Sequence, residues 1–106
     1  MKYGGKWRIT EMEMWDRDYF DMEVEAYIQI NANGSGEFQF GLVCGQIRGK
    51  MSKDGEEFRF RWDGSDECDE ASGSGWLKLK GENSLNGHIE LHEGDESDLV
   101  AERMNN

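Results

Sequence analysis

The segment His88-Ile89-Glu90-Leu91-His92 carries the residue types best suited to chemistry. On an extended strand, His88, Glu90 and His92 fall on one face, about 6.5–7 Å apart per two-residue step. Imidazole nitrogens and carboxylate oxygens are natural ligands for zinc or iron. This face is therefore a candidate divalent-metal site, completed by a partner from a neighbouring strand or loop. The same alternation has a plainer use. Ile89 and Leu91 then face the core, the polar trio faces water, and Lys78 or Lys80 pairs with Glu90 across the sheet.

A second candidate lies in the acidic stretch Asp63–Glu70, with Asp66, Glu67 and Asp69 at its centre. Hard cations such as calcium take six to eight oxygen ligands. The stretch lacks the glycine at the sixth loop position and the glutamate at the twelfth that an EF-hand requires. A solvated acidic loop is the alternative. Beyond a possible divalent metal, no cofactor is expected.

Motifs for turnover are missing. The chain has no G-x-S-x-G, no phosphate-cradling glycine loop and no H-E-x-x-H helix. Its two histidines stand four apart on one strand, which leaves no separate base for Cys44 or Cys68. The acidic surroundings of Cys68 also oppose a thiolate nucleophile. The balance leans away from an enzyme. No C-x-x-C pair occurs, and no basic and apolar leader follows Met1. Two free thiols in a reducing, cytoplasmic setting are expected.

These residues are carried by 106 residues with 12 Lys+Arg against 23 Asp+Glu, a formal charge of −11. That length suits a single domain over 1–106. The charge is uneven: residues 54–106 hold five bases and fifteen acids, and residues 1–53 hold seven and eight. Such a field repels phosphate backbones, so direct nucleic-acid binding is not expected, and it attracts basic partners. No apolar run reaches the roughly 20 residues of a membrane helix, and no membrane partner is expected. Leu, Ile, Val and Phe number only 19, a count typical of disordered chains. Four Trp and three Tyr add the missing apolar surface, and the apolar residues alternate with polar ones as folded strands do.

The period is two nearly throughout. Met22–Ile30, Phe38–Cys44 and Phe58–Trp62 read as strands with one buried face. Lys6–Met12, Gln46–Ser52, Trp76–Lys80, Asn86–His92 and Leu99–Arg103 complete eight strands. Asn33-Gly34, Lys53-Asp54-Gly55-Glu56, Asn86-Gly87 and Gly94-Asp95 supply turn residues. The best helix candidate is short, around Met14–Asp21, and Asp63–Gly75 reads as a long, exposed loop. A meander of hairpins has two raw edges unless it closes. The expected fold is all-β: a small eight-stranded antiparallel up-and-down barrel, with a two-sheet β-sandwich as alternative.

An eight-stranded barrel has room for packed side chains or for one small ligand. The row Phe38, Phe40, Phe58, Phe60 and Trp62 argues for a largely filled interior. Trp15, Tyr19 and Trp62 are then the candidate ligand-binding residues, at a mouth capped by the short helix. Three functions follow as expectations. The leading one is a non-enzymatic binding module, holding a small molecule or a partner at a barrel mouth or acidic rim. The second is an acidic interaction module that docks a basic protein. The third is a metal-dependent activity centred on His88, Glu90 and His92. Oligomeric state is left open.

Gly5-Lys6-Trp7 at the first strand, with Arg103 in the last, resembles the G-x-W start of the calycin barrels, the lipocalins, fatty-acid-binding proteins and avidins. That resemblance implies a tryptophan closing one barrel end with a basic residue packed on it. Several stretches also look like a family of small uncharacterised bacterial proteins. They include Gly5-Lys6-Trp7-Arg8-Ile9, Glu11–Asp16, Gly36–Gly41, Trp62-Asp63-Gly64, Gly73–Trp76 and Gly87-His88-Ile89 with His92–Asp95. This second resemblance implies a cytoplasmic single domain and transfers no functional residue.

Overall fold

A computed structural model describes residues 2–104. Eight strands follow in order: β1 (Gly5–Met12), β2 (Tyr27–Ile30), β3 (Ser35–Phe40), β4 (Val43–Met51), β5 (Phe58–Asp66), β6 (Asp69–Leu79), β7 (Ser84–Leu91) and β8 (Glu96–Arg103). One helical turn, α1 (Arg17–Phe20), separates β1 from β2. Each strand pairs antiparallel with its neighbour, and β8 returns to β1, so the sheet is a closed up-and-down barrel. Closure removes the raw edges that an open meander would expose. Among the described residues no helix is long and apolar enough to cross a membrane.

The expected aromatic row faces inward. Phe38, Phe40, Phe58, Phe60 and Trp62 are all buried, joined by Trp7, Ile9, Ile28, Ile47, Leu77, Leu85 and Ile89. Glycine makes room for the rings. Phe38 stands opposite Gly45, Phe60 between Gly49 and Gly75, and Trp62 opposite Gly73. A Cβ built on Gly45 would lie 2.4 Å from Phe38 and 2.7 Å from Trp62. Large residues alternate with none at all, and the interior fills without a wide bore.

Four expectations need correction. The stretch Asp63–Gly75 is not a long loop: it is the end of β5 and most of β6, joined at Glu67-Cys68. Those two residues take left-handed φ values of 51° and 77°, which makes a tight reversal. The strands escaped the apolar pattern because their close positions are glycine. A Cβ on Gly64 would lie 1.9 Å from the Cys44 carbonyl oxygen, and one on Gly73 1.7 Å from that of Glu90.

Second, Phe38–Cys44 is not one strand. The chain reverses at Gly41, whose φ is 57°, and Phe40 pairs with Val43. The reversal shifts the alternation by one, so Val43, Gly45 and Ile47 point inward and Cys44 is half-buried on the outside. Third, Met22–Ala26 is not strand. Met22 and Val24 are 54% and 43% exposed, and Asp21 accepts the Ala26 backbone N–H at 2.9 Å. Fourth, Asn86-Gly87 is not a turn. Gly87 lies inside β7 beneath Leu77 and Leu99, and the β6–β7 reversal is at Gly81 (φ 98°).

The helix is the expected one, shortened. Asp16 caps it by accepting the Tyr19 N–H, and Phe20 drops into the core.

Candidate functional site

A row of outward side chains crosses β6, β7 and β8, and register alone sets its composition. Trp76 on β6 stands opposite His88 on β7, and His88 stands opposite Asp98 on β8. The Trp76 and His88 rings lie nearly parallel, 13° apart, with centroids 6.1 Å apart. His88 Nδ1 is 2.7 Å from Asp98 Oδ1, and Nε2 is 3.2 Å from Glu96 Oε1. Both ring nitrogens meet carboxylates, an arrangement that suits the doubly protonated ring. The hydrogen bond to Asp98 raises the His88 pKa, desolvation opposes it, and the charges of Asp98 and Glu96 raise it further.

Beside this row lies an open cleft of about 680 Å³. Trp76 forms one wall, and Val100 and Thr10 lie in its lining between β8 and β1. Glu11, Glu13 and Asp98 bring carboxylates to it, and Arg17 reaches it from α1. Local hydrogen bonds hold this lining. A bulge in the β1–β8 pairing falls between Ile9 and Glu11, and Thr10 Oγ1 donates to the Val100 carbonyl at 3.3 Å. Arg17 donates to the Thr10 carbonyl at 3.1 Å. The Glu13 backbone N–H donates to the Asp98 carbonyl at 3.0 Å. The cleft thus combines an indole, an apolar floor, the carboxylates of Glu11, Glu13 and Asp98, and the guanidinium of Arg17.

The residues expected at a barrel mouth do not form one surface. Trp15 stacks on Tyr19 with centroids 5.9 Å apart and meets Phe40 at 5.0 Å. Both are half-buried, and Tyr19 lies over Gly41, where a Cβ would be 2.3 Å from its ring. Together they plug the end of the barrel. Trp62 is 2% exposed, separated from Trp15 by Phe38 and Phe40. Its indole N–H donates to the Glu90 carbonyl at 3.2 Å. Trp15 does line the outer cleft, at its α1 end.

The metal candidates are likewise dispersed. His88 turns to β8, while His92 lies in the turn after β7, 3.5 Å from the Ser72 hydroxyl. Glu90 is exposed between them. Asp66 and Asp69 face each other at the tip of the β5–β6 hairpin, with Glu67 in the turn. Among the described residues, no group of three or more His, Cys, Asp or Glu side chains converges as a metal cage. The His88–Asp98 contact has the form of a base and its orienting acid. No hydroxyl or thiol hydrogen-bonds His88 among the described residues, so the pair addresses no nucleophile.

Trp76, Glu11, Glu13 and Asp98 are among the cleft residues that the sequence pattern passed over. Their signal was faint but present: Trp76 is a large aromatic at an outward position next to inward Leu77. A comparison of the chain with known protein families, curated proteins and solved structures finds no match.

Proposed function

We propose that the protein is a non-enzymatic binding module whose outer cleft holds a cationic group of a partner, an Arg or Lys side chain of a basic protein segment. The observation that carries this reading is one cleft lined by the Trp76 indole, Val100 and the carboxylates of Glu11 and Glu13, with Asp98 already paired to His88. A cation over an indole gains roughly 0.5–2 kcal/mol, and nearby carboxylates add a charge-assisted hydrogen bond. The field of the acidic second half steers such a partner towards the barrel. The packed interior supports binding on the wall rather than within the bore. A cytoplasmic setting belongs to the same reading, supported by two cysteines that are both free thiols.

The test is an NMR titration of the full chain with a short arginine-containing peptide. Saturable shifts of the Trp76 indole and the Val100 amide are expected, weakening as ionic strength rises. The double substitution Glu11→Gln with Glu13→Gln should weaken binding about tenfold, the scale of one charge-assisted contact. Equal binding of an uncharged peptide of the same length, or no saturable shift, overturns the proposal.

A further inference from the structure

We propose a second site on the adjoining wall: the outer face of β4 and β5 binds a compact, ring-bearing polyanion, a nucleoside di- or triphosphate. Four bases meet there by register. Arg48 stands directly opposite Arg61, and Lys50 directly opposite Arg59. All four are exposed. Like charges on directly paired strand positions repel, so this arrangement opposes the fold that contains it. It is also concentrated, because these four are a third of the 12 bases in a chain of net charge −11.

Within the chain the repulsion is compensated at only one of the four bases. Arg59 meets Glu57 at 3.1 Å, whereas Arg48, Lys50 and Arg61 have no ion pair among the described residues. This contrasts with a surface so rich in acids that a carboxylate partner was available almost anywhere. An external anion supplies the missing countercharge.

The shape narrows the ligand. The four bases occupy a grid about 5 Å across the strands and 6.5–7 Å along them. Long, flexible side chains at those corners converge on a single di- or triphosphate. Arg48, Lys50, Arg59 and Arg61 line an open cleft of about 630 Å³ whose far side is Ser74 and Trp76. Trp76 stands opposite Arg59, and Ser74 opposite Arg61. An indole there offers a stacking platform for a base, and stacking of this kind is sequence-tolerant. The hydroxyl of Ser74 adds a neutral hydrogen-bond group beside the phosphates.

The surroundings limit its length. Along β5 the basic face ends at Asp63, two residues beyond Arg61, and before Arg59 it ends at Glu57. Across the sheet, Ser74 is followed by Glu90 and then Glu96. A running phosphate backbone leaving the grid meets carboxylates on these sides, whereas a mononucleotide stays within it.

The test is calorimetric titration of the full chain with ATP, ADP, tripolyphosphate and adenosine, and separately with a ten-residue oligothymidylate and an oligoglutamate peptide. ATP should bind saturably, about tenfold more tightly than tripolyphosphate, because stacking adds to the charge contacts. Adenosine should bind far more weakly than either. Arg48→Ala with Arg61→Ala should weaken ATP at least about tenfold, with an unchanged far-ultraviolet circular dichroism spectrum. Trp76→Ala should bring ATP down to the affinity of tripolyphosphate. Glu11→Gln with Glu13→Gln should leave ATP binding in place, which distinguishes this site from the cationic-group cleft that shares Trp76 with it. The proposal is overturned by the absence of saturable ATP binding at millimolar concentration. Equal affinity for ATP and tripolyphosphate also overturns it, as does tighter binding of the oligonucleotide or the peptide to the same residues.

Discussion

The Arg103 guanidinium lies 4.2 Å from the Trp7 ring centroid, at the seam where β8 closes on β1. The stack is held from both sides. Trp7 donates its indole N–H to the Tyr3 carbonyl at 3.0 Å. Arg103 donates to the carbonyls of Gly4 at 2.8 Å, Lys2 at 3.0 Å and Glu82 at 3.3 Å. One side chain thus ties the chain's first residues, its last strand and the β6–β7 turn to a fully buried ring.

Loss of this tie should be felt throughout the barrel. Arg103→Ala removes a cation–π contact and several charge-assisted hydrogen bonds, and should destabilise by about 2–3 kcal/mol. Arg103→Lys keeps the charge but not the planar fork, and should recover less than half of that loss. Urea unfolding followed by tryptophan fluorescence measures both. An Arg103→Ala chain as stable as the parent would show that the seam is held by backbone pairing alone.

Glycine size, not flexibility, decides the interior. Gly45→Ala places a methyl group against the edge-to-face pair of Phe38 and Trp62, whose centroids are 5.0 Å apart. It should destabilise by about 1–3 kcal/mol, the usual range for overpacking. Gly94→Ala is the control: its nearest neighbour would be Leu91 Cβ at 3.4 Å, an ordinary contact. Thermal melts should show a clear drop for the first substitution and almost none for the second.

The His88 pair predicts a direction for pH dependence. Its pKa is raised in the folded state above the ordinary 6.5. The contribution to stability is therefore full below about 6.5 and is lost as pH rises through the folded-state pKa. His88→Gln should remove this loss on the alkaline side. Asp98→Asn should move the histidine titration back towards its ordinary range, as read from the ring-proton shifts by NMR. An unshifted His88 titration in the parent chain would contradict the pairing.

At the tip of the β5–β6 hairpin, Asp66 stands opposite Asp69. Paired like charges repel, so Asp69→Asn should stabilise by a few tenths of a kcal/mol, and more at low salt than at high salt. Paired denaturation curves at two ionic strengths read this difference. Stability that falls on the substitution, at either salt, would mean that Asp69 has a favourable contact in the turn.

Much of this architecture is local and was readable in the sequence. Alternation placed Phe58, Phe60 and Trp62 inside, turn residues at Asn33-Gly34 and Asp54-Gly55 marked two hairpins, and a meander with no unprotected edge implied closure. Hydrophobic patterning failed where glycine stands in for apolar bulk. The β5–β6 hairpin read as a loop because Gly64 and Gly73 carry no side chain to register, although the neighbouring backbone leaves no room for one. It failed again at Gly41, where one left-handed residue reverses the chain and shifts every following side chain to the other face. The candidate sites belong wholly to tertiary structure. Arg48 and Arg61, or Trp76, His88 and Asp98, become neighbours only through cross-strand register. Period two tells which face a residue takes, while closure of the barrel decides which residue stands beside it.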